Sequence, residues 1–336
     1  MNNIYKMIFF ITAIVGTLIS ISSYSWIGTW MGLEINLISF IPLINDKKNP
    51  LSAESSMKYF LVQALASSAL LFSVMILMMN NFSQKIAPMI LLILNSALLM
   101  KMGAAPFHFW VPQIMIQMNW NKNMILLTSQ KIAPMILLMY TNNSVNFMMM
   151  MIIMSMTVGS IMGLNQTNLK TIMAYSSINH TGWMISAMLL MENIWMTYFI
   201  IYCMISLSMM KILKIMNINH LKQLYFSSNK SMLIKFSFII NFLSMGGLPP
   251  FLGFLPKLLI IQNLIFIGFK LMAFMMIMLT MITLFFYLRV TFSILMMNFN
   301  NFSWKINVKF FNNKIIFVIN SMSLTGLIFL TNIINF

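Results

Sequence analysis

The stretch GAAPF at 103–107 decides how this chain folds, because it interrupts an apolar run that extends from 87 to 119. A related stretch, GLPPF at 247–251, interrupts a second apolar run, 232–268. Each run is too long for one straight membrane crossing of about 20 residues and too short for two. Proline removes a backbone donor and clashes with the preceding turn, so we expect each run to form a broken helix.

The two interruptions recur at corresponding positions in two parts of the chain. Dividing the sequence near residue 143 gives a unit 1–143 and a unit 144–298, each with five predicted helices. Five helices reverse the direction of the second unit, which predicts an inverted repeat with binding chemistry at the broken helices. Chance matches are the alternative, because Gly and Pro are common in membrane helices. A loop and one more helix, 299–336, lie outside both units.

Composition predicts that the whole chain lies in lipid. Of its 336 residues, 60% are hydrophobic and 7% are charged, far from the make-up of a water-soluble domain. We therefore expect an all-α, polytopic membrane protein of about eleven transmembrane helices. The predicted spans are 4–22, 24–44, 57–78, 87–119, 123–140, 145–163, 168–191, 194–214, 232–268, 270–297 and 314–335.

The net charge of +16 indicates membrane topology. The lysines are scattered singly in short loops and form no basic stripe with aromatic residues, so no nucleic-acid partner is predicted. Short loops rich in Lys and Arg stay on the side of insertion, and fifteen such cations fall on the N-terminal side against Lys85 and Lys270 on the other. The 41 Met, with abundant Asn, Ile and Phe, are typical of a mitochondrial gene. The N-terminus is thus predicted in the matrix, with the chain in the inner membrane.

Few residue types that hold cofactors are present. Cys203 is the single cysteine, which excludes an internal disulfide and a cysteine-ligated cluster or zinc site. The three histidines are too few for the axial ligands of a two-haem cytochrome. We predict no metal and no bound cofactor in this chain.

Ionisable residues inside the predicted spans are the candidate functional residues. They are Glu34, Lys101, Lys131 and Lys257, and burying each costs about 3 kcal/mol unless it is paired or hydrated. A buried lysine near a carboxylate can load and release a proton, so these residues form a candidate proton path. The alternative is that the lysines snorkel to the surface and Glu34 forms a static pair.

His180 is a further candidate within the span 168–191. It lies in a polar strip formed by Ser176, Ser177, Asn179 and Thr181. Histidine exchanges protons near neutral pH, so His180 is predicted to relay protons between the units. A buried histidine that is satisfied by a neighbouring hydroxyl is the equally good alternative.

Five segments resemble one known family, in order and over most of the chain. They are WIGTWMGLEIN at 26–36, KMGAAPFHFWVP at 101–112, QKIAP at 130–134, AYSSINHTGW at 174–183 and GGLPPFLGFLPK at 246–257. Together they resemble the chain 2 family of mitochondrial NADH:ubiquinone oxidoreductase, or respiratory complex I. The lysine-containing segment at 101–112 is also similar to sister chains and to multisubunit cation/proton antiporters.

The resemblance implies a proton-translocating, antiporter-like membrane subunit whose path uses Glu34, Lys101, Lys131 and Lys257. It also implies that NADH, FMN, iron–sulfur clusters and ubiquinone are bound by partner subunits. The expected partners are other membrane-arm and accessory subunits of the complex, together with phospholipids such as cardiolipin.

Two other functions stay open at this point. A stand-alone sodium/proton antiporter is the first, although acids would be expected along its path in place of three lysines. A structural membrane scaffold is the second, and it predicts that Lys131→Met leaves turnover unchanged.

Overall fold

The computed structural model describes residues 2–46, 49–79, 87–141, 144–225 and 232–295, whose regular elements are helices. The helices are α1 (Asn2–Ser22), α2 (Trp26–Ile44), α3 (Pro50–Met78), α4 (Ala87–Met102), α5 (Trp110–Gln117), α6 (Trp120–Leu127), α7 (Ser129–Tyr140), α8 (Val145–Leu164), α9 (Leu169–Leu190), α10 (Glu192–Met216), α11 (Leu221–Tyr225), α12 (Met232–Gly246), α13 (Phe254–Ile267) and α14 (Lys270–Leu295). The predicted helix 314–335 and the region 299–336 lie outside the described residues.

Six of the described helices are long and apolar enough to cross a membrane, namely α1, α2, α3, α8, α10 and α14. The chain is therefore an all-α, multi-pass membrane protein, as the composition predicts. The other predicted spans within the described ranges correspond to α4–α5, α6–α7, α9 and α12–α13. The total of eleven spans stays a prediction.

Both predicted helix breaks are confirmed. In the first run, α4 ends at Met102 and α5 begins at Trp110. In the second run, α12 ends at Gly246 and α13 begins at Phe254. The two G-x-x-P-F stretches thus lie in the non-helical segments that join the half-helices.

The two breaks begin with the same helix-ending turn. Gly103 and Gly247 have φ values of 73° and 78°, in the left-handed region that favours glycine. One residue later, the N–H of Ala104 bonds to the carbonyl of Leu99 at 3.1 Å, and the N–H of Leu248 bonds to that of Leu243 at 3.4 Å. These bonds define the Schellman motif, which ends a helix at glycine.

The prediction of one continuous helix over 123–140 is wrong. The structure divides this span at Thr128 into α6 and α7. The Thr128 hydroxyl donates to the carbonyl of Met124 at 2.7 Å, a bond to the preceding turn that often accompanies a bend. Pro134, inside α7, removes one further backbone donor. Lys131 therefore lies in the first turn of α7 and not deep inside a longer helix.

The chain forms two compact units, Met1–Ser155 and Met156–Phe336. The first contains α1 to α7 with the start of α8, and the second contains the rest of α8 and the helices that follow. The predicted repeat limits of 1–143 and 144–298 stay a prediction.

A close backbone contact recurs in both units. A Cβ atom on Gly16 of α1 would lie 2.9 Å from the backbone N of Asn36 on α2, and one on Gly159 of α8 would lie 2.8 Å from that of Asn179 on α9. Small residues allow membrane helices to approach this closely. The same pair of residue types, at the same sequence separation, makes the contact each time, which supports the internal repeat.

Asp46 joins the ends of three helices in the first unit. Its carboxylate lies 3.0 Å from Nζ of Lys6 on α1 and 2.5 Å from Nζ of Lys122 on α6. The side-chain amide of Asn119 also donates to it at 2.8 Å. Partial burial raises the pKa of Asp46, but the bonds from Lys122 and Lys6 outweigh it and hold the pKa below its ordinary value of 3.8. Lys6 and Lys122 thus meet on one side of the unit, as the charge count predicts.

Candidate functional site

A buried cavity lies beside the first helix break. Measured as the space open to the centre of a water-sized sphere, its volume is about 20 Å³, which is room for one water molecule. Its lining consists of Leu33, Asn36, Leu37, Tyr59, Gln63, Lys101, Met102, Trp110, Leu126, Gln130, Lys131 and Pro134. Two of the predicted functional residues, Lys101 and Lys131, therefore line the same cavity.

Lys101 and Lys131 are held inside the protein. They are 6% and 3% exposed, respectively. Lys101 is in the last turn of α4, and Glu34, which is half-buried on α2, acts electrostatically on its ammonium group. The structure thus brings both lysines to one cavity and places the carboxylate within electrostatic range of Lys101.

Neutral donors cap the carbonyl end of α4. A helix that stops inside a membrane leaves its last carbonyls without intrahelical partners. The indole N–H of Trp110 donates to the carbonyl of Met100 at 3.1 Å, and the side-chain amide of Gln63 donates to that of Lys101 at 3.4 Å. The Lys101 ammonium is therefore not needed to cap its own helix.

Lys257 is placed differently in the second unit. It is 6% exposed, and its Nζ donates to the carbonyls of Gly246 at 2.9 Å and Met245 at 3.2 Å. These carbonyls form the negative end of the α12 dipole. Nζ also lies 5.9 Å from the ring centroid of Trp183, a distance at which an aromatic face attracts a cation. The ammonium of Lys257 is thus bound within the protein, at the second break.

His180 lies on α9, a helix whose polar strip is entirely buried. Ser176 and Thr181 of this strip donate to carbonyls of α9 itself, at 2.8 and 2.6 Å. Nδ1 of His180 lies 2.8 Å from the hydroxyl of Tyr198 on α10. A hydroxyl does bond to one ring nitrogen, in line with the structural alternative, and the relay role stays a prediction.

His180 and Lys257 meet the same short segment of α12. A second cavity of about 10 Å³, at the lower limit for one water molecule, is lined by His180, Tyr198, Ser244 and Met245 among others. The carbonyl of Met245 also accepts the hydrogen bond from Lys257. The second unit therefore gathers a histidine, a phenol and an ammonium group around its helix break.

Several residues of the site are uncharged, so they are missed when only ionisable residues in apolar spans are considered. Asn36 and Gln130 line the first cavity, and Tyr198 holds His180. Asn36 and Gln130 occur in the conspicuous segments WIGTWMGLEIN and QKIAP, which is the signal that could have found them. Tyr198 has no such signal, because an isolated tyrosine in an apolar span is ordinary core or interface composition.

Comparison with known proteins agrees with this architecture. The family model described as NADH:quinone oxidoreductase/Mrp antiporter, TM, matches residues 23–286. The NADH-ubiquinone oxidoreductase chain 2 of Anopheles gambiae is 49% identical over 340 residues, which cover 99% of each chain.

Solved structures share the fold. A chain of respiratory complex I from Thermus thermophilus superposes with a TM-score of 0.80 at 22% identity, over 86% of this chain and 70% of that chain. A chain of the archaeal membrane-bound sulfane sulfur reductase gives a TM-score of 0.84 at 17% identity, over 97% and 73%. The insect protein is 49% identical over nearly its full length, and the family model matches most of this chain. The chain therefore belongs to the NADH-ubiquinone oxidoreductase chain 2 family of antiporter-like membrane subunits.

Proposed function

We propose that this chain is a proton-translocating core membrane subunit of an NADH:ubiquinone oxidoreductase. Protons would move along Glu34, Lys101 and Lys131 in the first unit and along His180 and Lys257 in the second. The energy would come from NADH oxidation and quinone reduction in other subunits.

The observation that carries this proposal is that Lys101 and Lys131 line one water-sized cavity. Two ammonium groups that share a low-dielectric space repel each other, which disfavours the state in which both are charged. A water molecule in the cavity would offer a route for the proton from one amine to the other. Glu34, acting on Lys101, can bias which lysine holds the proton.

We infer the cofactors and partners of such a subunit from the resemblance of the sequence to complex I. NADH, FMN, iron–sulfur clusters and ubiquinone would be bound by partner subunits, with none in this chain. Other membrane-arm and accessory subunits, and phospholipids including cardiolipin, would cover its outer faces. The chain would lie in the mitochondrial inner membrane with its N-terminus in the matrix.

The test is Lys131→Met in the complete enzyme reconstituted in vesicles. We expect the complex to assemble, because methionine fills a similar volume without a charge, and the initial rate of NADH-driven proton transport to fall about tenfold or more. Lys214→Met, at the exposed end of α10, is the matched control and should transport protons at the normal rate. Normal transport by an assembled Lys131→Met enzyme would leave only a scaffold role.

The antiporter alternative predicts a different result. The lining of the first cavity, which lies wholly within the described residues, contains two lysines and no carboxylate. Such a lining repels sodium, so transport should be the same in sodium and potassium buffers. Transport that requires sodium would favour the antiporter.

A further inference from the structure

Asn36 of α2 and Gln130 of α7 form a reciprocal pair of hydrogen bonds. Nδ2 of Asn36 donates to Oε1 of Gln130 at 3.0 Å, and Nε2 of Gln130 donates to Oδ1 of Asn36 at 3.1 Å. The hydroxyl of Tyr59 on α3 approaches the same Gln130 oxygen at 3.4 Å. The pair thus joins two helices that are far apart in sequence, with a third helix at its edge.

The pair lies at the start of α7, beside the helix break at Thr128. Because α6 and α7 are separated at Thr128, the regular hydrogen-bond ladder does not run through to the first turn of α7. Gln130 and Lys131 are both in that turn. The hydrogen bonds of the Gln130 side chain therefore restrain the backbone of the next residue, Lys131.

The other end of the pair is rigid. Asn36 is buried, and its backbone N is in the close contact that Gly16 allows between α1 and α2. A buried amide pair is costly to separate, because each amide would lose its partner at a site with room for only one water molecule. Asn36 can thus serve as the fixed point from which α7 is placed.

We propose that the Asn36–Gln130 pair is a positioning element that holds Lys131 at the cavity it shares with Lys101. All four side chains line that cavity. Neither amide takes up a proton itself; the pair sets the distance across which the two lysines exchange one. This inference presupposes the proton-transfer function proposed above for the same cavity.

The test compares leucine variants with an exchange of the two residues, in the complete enzyme in vesicles. Asn36→Leu and Gln130→Leu each leave one buried amide without its partner and should reduce both assembly and proton transport. The double leucine variant removes both amides, so assembly should recover. Its rate of proton transport should stay about tenfold below normal, because Lys131 is no longer held at a fixed distance from Lys101.

The exchange variant, Asn36→Gln with Gln130→Asn, keeps two complementary amides and their combined length. It should assemble and transport protons at no less than about half the normal rate, since it restores the pairing. An exchange variant that assembles but transports as poorly as the double leucine variant would overturn the proposal. So would normal transport by the double leucine variant.

The Lys131→Met enzyme distinguishes a failure of this inference from a failure of the proton-transfer function on which it rests. If Lys131→Met abolishes transport while the double leucine variant transports normally, the positioning role is wrong and the proton-transfer function stands. If Lys131→Met transports normally, the function itself fails, whatever the amide variants do.

Discussion

Nζ of Lys257 donates a hydrogen bond of 2.9 Å to the carbonyl of Gly246, the last residue of α12. The ammonium group thus occupies the place that the next helical turn would have filled. Gly247 makes this approach possible, because a Cβ atom at that position would lie 2.9 Å from both Cδ and Nζ of the lysine.

Gly247→Ala should therefore impair the second break. The methyl group meets Lys257, and the positive φ of 78° adds a strain of about 1–2 kcal/mol. We expect slower NADH-driven proton transport in vesicles. Gly246→Ala is the matched control, since its added Cβ would find its nearest neighbour at an ordinary 3.6 Å from Tyr287. Equal transport rates for the two alanine variants would contradict this account.

Tyr198→Phe should alter how His180 takes part in transport. The change removes the hydroxyl that lies 2.8 Å from Nδ1 and keeps the ring, so packing and assembly should be preserved. Loss of one hydrogen bond is worth about 1 kcal/mol, which corresponds to a change of about fivefold in the transport rate if the bond orients a working histidine. Tyr140→Phe, at an exposed position, should change nothing. An unchanged rate in Tyr198→Phe would assign His180 to packing alone.

Asp46→Asn should loosen the first unit. The carboxylate accepts from both Lys6 and Lys122, and Lys122 would lose the negative charge that balances it. We expect a loss of about 2 kcal/mol of stability, seen as a lower midpoint in thermal unfolding of the complex. Glu54→Gln is the control, because its ion pair with Lys58 is exposed and screened by solvent, so the unfolding midpoint should hardly change.

The same carboxylate predicts a direction of pH dependence. Its pKa lies below the ordinary value of 3.8, so its contribution to stability is present above that value and is lost as the pH falls through the lower, folded-state pKa. The stability difference between wild type and Asp46→Asn should thus be constant between about pH 5 and pH 8. A difference that disappears within this range would show that Asp46 does not hold its two lysines.

Arg289→Lys should weaken the connection between α14 and the end of α8. The guanidinium group donates to the carbonyl of Leu164 at 2.6 Å and to that of Gln166 at 3.1 Å. Lysine lacks the planar fork that reaches both acceptors, so the variant should lose about 1 kcal/mol. Hydrogen exchange of the 164–168 segment should become faster; unchanged exchange would mean that the two carbonyls do not depend on the arginine.

The helix breaks and the buried lysines are predictable because each depends on local chemistry. A glycine with positive φ and the prolines after it exclude a continuous helix, whatever surrounds them. A lysine in an apolar span must likewise have polar neighbours, and Lys101, Lys131 and Lys257 all have them.

The helix break at Thr128 and the Asn36–Gln130 pair are not predictable in the same way. A threonine hydroxyl bonds to the preceding turn in straight and bent helices alike, so only the surrounding packing decides whether a bend results. Two neutral amides distant in sequence carry no charge that demands balance, and nothing local indicates that they meet. Tyr198 is a similar case, because its partner His180 lies on another helix.

The half-helices α4 and α12 end in the same turn, but different groups cap their last carbonyls. The terminal carbonyls of α4 are capped by Trp110 and Gln63, whose side chains do not ionise. The cap of this helix end therefore carries no charge. The carbonyl end of α12 is instead capped by the ammonium group of Lys257, and a charged donor makes a stronger hydrogen bond than a neutral one. A change of charge at Lys257 would therefore alter the cap of a main-chain helix end, whereas a change of charge at Lys101 would leave the neutral cap of α4 as it is.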